Sequence, residues 1–288
     1  MPRIACLGGA ITAVFLLVAL LGETLAPYPA GLTNYDRILA QPSPEHLMGT
    51  DHLGRDLLSR LIAGTRTTLG LGLLVAVLNS ALALGLGALC GFAGGWFDAI
   101  LMRLVDALLA LPGFLLAVCF LGLFGGGAFQ LVLYLVLTGW AQLARIVRNE
   151  VTVVKHLDFI TANTAAGYST ARNLFLHVLP AVLPSVLILL LNTLVGDVFA
   201  IVSLSFLGLG ISPQTPEWGA VLFDARSFFL ASPWLFVFPS ALIAALTLGL
   251  HLLADGLREY LDKKRFLYAV EEVNLLAGAA SACGSDTA

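Results

Sequence analysis

KHLDFITANTAAGYSTARNLFLHVLPAVLP, residues 155–184, is the stretch on which the reading of this chain turns. Phe159–Ala166 suits a short helix, and Gly167 stands where a left-handed cap would end it. Ser169 or Thr170 can then cap a second helix, whose Leu174, Phe175, Val178 and Leu179 make an apolar stripe. Pro180 and Pro184 mark entry into a long apolar run. Residues 150–179 therefore read as a helix–turn–helix lying on one face of a membrane. Physics alone leaves two uses for it: a surface-hugging amphipathic loop, or a docking knob for a cytoplasmic partner.

The sequence on either side explains why a membrane is invoked. Of 288 residues, 59% are hydrophobic and 11% charged, and the mean hydropathy is +0.93. A soluble domain is about a quarter charged, so a water-soluble enzyme is a poor fit. A net charge of −3 gives no reason to expect a nucleic-acid partner. About 20 apolar helical residues cross a bilayer. Six segments qualify: Ile4–Ala26, Thr68–Ala93, Ile100–Phe124, Phe129–Ala144, Pro180–Leu209 and Trp234–Leu253. Gly125-Gly126-Gly127 separates the third from the fourth, because three successive glycines make a loop. The expected fold is an all-α membrane protein of six transmembrane helices.

Lysines and arginines set the orientation. With the N-terminus inside, Arg3, Arg103, Arg145, Arg148, Lys155, Arg172, Arg258, Lys263, Lys264 and Arg265 are cytoplasmic, against Arg37, Arg55, Arg60, Arg66 and Arg226 outside. That asymmetry predicts both termini inside. The chain divides into a first transmembrane helix (1–26), an extracytoplasmic loop (27–66), a five-helix core (67–257) carrying the cytoplasmic loop 150–179, and a cytoplasmic tail (258–288), irregular past about Val273.

No lysine follows a glycine, so there is no phosphate-cradling GxxxxGK[ST] loop, and neither HExxH nor GxSxG occurs. Cys6, Cys90, Cys119 and Cys283 have no metal-ligand spacing. Catalytic, cofactor-binding and metal-binding residues are accordingly expected to be absent. Asp197, deep in the fifth span, fixes helix packing or lines a pore. Arg103 and Asp106 share a helix face and are expected to pair. Gly87, Gly91 and Gly95 let helices approach closely.

The loop resembles the EAA loop of ABC-importer permeases. Phe159, Ile160, Ala162, Ala165 and Gly167 match its first part, and His177, Leu179 and Pro180 its end, while Thr161 and Asn163 replace the usual acidic residue and second alanine. HLMGTDHLGRDLLSRLIAGTRTTL (46–69), GFAGGWFDAILMRLVDALLALP (91–112), SLSFLGLG (203–210), PEWGAVLFDAR (216–226) and DGLREYLD (255–262) are similar to the second permease subunits of dipeptide, oligopeptide and nickel importers. The resemblance implies a bacterial plasma-membrane permease without enzymatic activity of its own. Its partners would be a second, non-identical permease, two cytoplasmic ATPase subunits that bind ATP and Mg, and an extracytoplasmic substrate-binding protein. It also implies that Phe159, Ile160, Thr161, Ala162, Ala165, Gly167, His177 and Pro180 form the ATPase-docking loop.

Cargo is read from two places. Peptide-type members often carry Glu where this chain has Ile201, and EWG followed by DAR (Glu217–Arg226) resembles the nickel branch. The expectation is nickel or a metal chelate, with di- or oligopeptides as the alternative. His46, Met48, Asp51 and His52 look like metal ligands but are expected to be a structural loop. A channel or secondary transporter is the rival class. It would need intramembrane coupling charges, of which only Asp197 qualifies.

Overall fold

A computed structural model describes residues 3–285, with side chains for 4–22 and 24–261. Its helices are α1 (Arg3–Leu25), α2 (Leu57–Ala93), α3 (Gly95–Ala110), α4 (Gly113–Phe124), α5 (Ala128–Lys155), α6 (Asp158–Ala165), α7 (Thr170–Asn173), α8 (Leu179–Phe206), α9 (Trp218–Ala225) and α10 (Trp234–Ser285). The tail expected to be irregular past about Val273 instead continues α10 as far as Ser285.

Helix α2 is the central post, with α1, α5 and α8 packed around it. At 37 residues it is about 55 Å long, well beyond the expected Thr68–Ala93. The extension begins at Asp56, whose carboxylate caps the helix by accepting from the Ser59 amide at 2.8 Å. Apolar packing holds the post. Leu57, Leu61, Leu69 and Ala76 meet Trp218, Leu246 and Leu250 on one side, and Val75 meets Leu121, Leu131 and Ile201 on another. Within a bilayer such contacts are held by close van der Waals packing, since lipid tails are as apolar as the side chains themselves.

The glycines of α2 act within the chain. A Cβ on Gly87 would lie 2.6 Å from the Ala144 carbonyl oxygen, and one on Gly91 would lie 2.5 Å from that of Arg148. They let α2 and α5 touch backbone to backbone. Gly95, the third member of that pattern, has open space around it and starts α3.

Among the described residues five helices are long and apolar enough to span a membrane, and a sixth crossing arises only if α3 and α4 count together. These two meet at 86°, so the single helix expected over Ile100–Phe124 is broken. Pro112 causes the break: it offers no N–H and drives Leu111 out of the helical region, to φ −89°, ψ 137°. The Arg103–Asp106 pair also fails to form. Helix α3 packs on α5, where Asp106 accepts from Arg145 instead, and Arg103 stays exposed.

At Pro180 and Pro184 the chain passes from the loop into its apolar run without a break, from Thr170 to Phe206. Residues Leu174–Val178 form a π turn, closed by the Leu179 amide donating to the Leu174 carbonyl. Pro180 lies in the first turn of α8, where a missing N–H costs little, and Pro184 lies one turn on.

Candidate functional site

At the end of α2 where Phe92 lies, the sequence 155–180 folds into an exposed elbow. Lys155 closes α5 by donating to the Phe92 carbonyl at 2.6 Å, with its ammonium 5.5 Å from the Phe92 ring centre. The chain then enters α6, whose end at Ala165 is sealed twice. The Gly167 amide donates to the Thr164 carbonyl and the Tyr168 amide to that of Asn163, both at 3.0 Å, which is a complete Schellman cap. Gly167 has φ +88°, the left-handed region that a side chain adopts at a cost of about 1–2 kcal/mol. Ser169 then caps α7 by accepting from the Arg172 amide at 3.3 Å.

One residue anchors α6. Ile160 is buried against Val151, Leu174 and Val178. Phe159, Thr161, Ala162, Ala165 and Gly167 are exposed, Phe159 at 46%. The elbow angle is held by Asn173, which is buried and donates to the Thr164 hydroxyl at 3.1 Å. Tyr168 adds stacking, with the His177 ring 6.0 Å away on one contact and the Arg172 guanidinium 4.1 Å from its ring on another. Of the predicted stripe, Leu174 and Val178 are buried and Phe175 is exposed; Pro180 is exposed as well. A groove of about 540 Å³ runs under α6, between Phe92, Ile160 and Tyr168. The arrangement is a stiff, solvent-facing helix on a single apolar root.

The opposite end of α2 carries a polar assembly with its charges sealed inside. Asp51 accepts from Arg55 Nε at 2.7 Å and from Arg60 at 2.6 Å, and the same two guanidiniums reach Asp224 at 3.0 and 3.2 Å. Arg60 is fully buried and also donates to the Pro213 carbonyl at 2.9 Å. Two cations and two anions thus cancel. Burial works against the Asp51 carboxylate, but Arg60, Arg55 and the amides of Arg55 and Leu53 outweigh it and hold its pKa below the usual range. Glu217 caps α9 through the Gly219 and Ala220 amides at 2.9 and 2.8 Å and accepts from Thr68 at 3.2 Å. Burial still pushes its carboxyl up. Trp218, fully buried, donates to the Leu61 carbonyl at 3.1 Å.

This geometry decides the four tempting outer residues. His46 is held by Asp56 at 2.8 Å, Met48 packs on the core, and His52 stacks on Phe228. Among the described residues Asp51, His52 and Asp224 bring potential ligand atoms within 4.8 Å. Both carboxylates are already neutralised by arginines, so a dication gains little there. Cys90, Cys119 and His251 stand apart on α2, α4 and α10. Ile201 is wholly buried. Asp197 lies between α5 and α8 beside Gln142, Asn192 and Thr193, almost buried at 8% exposure.

Sequence reasoning missed the partners of this assembly. The near balance of Arg37, Arg55, Arg60 and Arg66 with Asp36, Glu45, Asp51 and Asp56 was the available signal. Asp224, 164 residues from Arg60, leaves no local trace.

The chain is similar to several transport-system permeases. It is 36% identical over 263 residues to the glutathione transport system permease protein GsiD of Pectobacterium atrosepticum, covering 91% of this chain and 87% of that one. The same-named protein of Escherichia coli O6:K15:H31 is 35% identical over 252 residues, or 87% and 83% of the two chains. The oligopeptide transport system permease protein OppC of Bacillus subtilis is 32% identical over 262 residues, or 91% and 86%. A family model described as the binding-protein-dependent transport system inner membrane component matches residues 83–266. With apolar helices long enough to cross a bilayer and relatives of this kind, the chain belongs to that family and is an ABC-importer permease subunit.

Proposed function

We propose that this subunit imports short peptides or peptide-like thiols, and that α6 is where a cytoplasmic ATPase grips it. The exposed, Schellman-capped α6 on its single anchor Ile160 carries the proposal. A conformational change can be driven only by contacts that differ between two states. A rigid helix with Phe159, Thr161, Ala162 and Ala165 facing outward offers such contacts, while His177 and Pro180 lie on the arm leading back into α8. On this reading ATP and Mg are held by two ATPase subunits. A second permease completes the pathway, a binding protein delivers cargo on the far side, and both termini are cytoplasmic in the bacterial plasma membrane. The 155–180 elbow and the Asp51–Arg60 assembly lie at opposite ends of α2, in keeping with that topology.

Cargo follows the relatives' names, glutathione and oligopeptide, rather than nickel. Of the two features behind the nickel reading, Ile201 packs against Val75 and Leu131 and has no exposed surface, and Glu217 in the EWG…DAR stretch is a buried helix cap. Nor does a ligand cage among the described residues support a bare metal ion, since the carboxylates of Asp51 and Asp224 already pair with Arg55 and Arg60.

The test is uptake of labelled glutathione and a labelled dipeptide into cells whose only copy of this subunit is wild type or Gly167→Val. Wild type should take up at least one of them and bring ATPase subunits through purification; the variant should insert but not transport. Normal uptake by Gly167→Val, or nickel uptake without peptide competition, would overturn the reading.

A further inference from the structure

The groove between α5 and α8 has features that bundle packing does not explain. Gln142 lies at the midpoint of α5 and Asn192 at that of α8, and both side chains are exposed. Uncompensated amides at mid-membrane depth are costly against lipid tails. Asp197 faces the same opening of about 270 Å³ together with Thr193. It is 92% buried by its 8% exposure. Its Oδ2 has no partner among the described residues. Further along the same pair of helices a second opening holds Asn149 and Glu150, and Glu150 Oε2 is likewise unpartnered. Counting along α8 from Val182, which faces Glu150, to Asp197 puts the two carboxylates about 22 Å apart.

No cationic side chain lines either opening. The two arginines of α5 are turned away, Arg145 to Asp106 and Arg148 to Asp98. An unpaired carboxylate at each end of a polar track is an arrangement that awaits a mobile positive charge.

We propose that the α5–α8 groove is this subunit's wall of the translocation path, and that Asp197 and Glu150 make it an anionic track for the ammonium group of a passing peptide. The cargo class rests on the peptide reading given above; the electrostatics of the groove stand apart from it. The amides of Gln142, Asn149 and Asn192 replace water around the peptide backbone. The two carboxylates favour its amino end without a cage tight enough to trap it.

The assembled transporter in lipid nanodiscs, with its native cysteines replaced by serine, tests this through single cysteines at Gln142 or Asn192. Each is reacted with a trimethylammonium methanethiosulfonate and with a sulfonate one. Both positions should react, whereas Leu17→Cys, on the exposed face of α1, should not. The cation-to-anion rate ratio should fall about fourfold on Asp197→Asn, as expected for one charge about 10 Å away in water. If Asp197→Asn fails to assemble, Glu150→Gln read from Asn149→Cys makes the same test at the other end. Unreactive cysteines would mean another helix seals the groove, and an unchanged ratio would mean that the carboxylates set no field; either overturns the proposal. Reactivity reports the groove whether or not α6 docks an ATPase or peptides are the cargo, so the two readings fail separately.

Discussion

Arg60 and Phe159 sit near opposite ends of the bundle and show how differently the two polar regions are built. Around Arg60, charges from residues 51, 55, 60 and 224 satisfy one another and are closed off from solvent. Around Phe159, the side-chain hydrogen bonds fixing the shape of α6 are local, and Phe159, Ala162 and Ala165 are exposed. One region spends its polar groups on its own stability; the other leaves its surface free. The lesson is that the first should tolerate substitution poorly for structural reasons, and the second for functional ones.

The largest stability effect should come from Arg60→Ala. It strips Asp51 and Asp224 of a buried counter-ion, a loss of about 3–5 kcal/mol, seen as a much lower melting temperature in detergent. A melting temperature near that of wild type would break the contrast. Glu217→Ala should cost less, roughly 1–2 kcal/mol, because it removes a helix cap while leaving the Trp218 packing. The same melting assay measures it.

Acid gives a third approach. Because its folded pKa is lowered, Asp51 contributes stability that is complete above the usual Asp value of about 4 and is lost as pH falls through the lowered value. Melting temperature should therefore drop steeply below about pH 4 in wild type, and less steeply in Asp51→Asn, which starts lower. Equal slopes would remove Asp51 from the account.

The smallest stability effects should belong to the elbow. Gly167 has open space around it, so Gly167→Ala meets only the φ penalty, about 1–2 kcal/mol. Phe159→Ala should stay within about 0.5 kcal/mol. Both should nonetheless depress uptake strongly, the reverse of the order that melting gives.

Much of this was legible in the sequence. Local signals carried the elbow: Gly167, Ser169 and the apolar Leu174 and Val178 act within a few residues of where they stand. Hydropathy alone located the apolar runs that become α1, α2, α5, α8 and α10. Pro112 stands in the sequence too, but the uncharged residues between Asp106 and Arg145 hide its effect, so the α3–α4 break is not visible from hydropathy. Arg145 and Asp224 could not be found as partners of Asp106 and Arg60, because their pairing depends on how distant helices pack. The tightness of Gly87 against Ala144 has the same cause. Ile201 illustrates the limit in another way: a motif position suggested a cargo, and its burial shows that it contacts other side chains of the core.

The claim at the centre is that α6 is gripped by the ATPase. A photoreactive benzoylphenylalanine placed at Phe159, in membranes holding the whole transporter, tests it directly; the same group at Tyr35, exposed at the other end of the chain, is the control. The account predicts an ultraviolet-dependent adduct of this subunit with an ATPase subunit from position 159 and none from position 35. An ATPase adduct from Tyr35, or its absence from Phe159 in a complex that still transports, would contradict it.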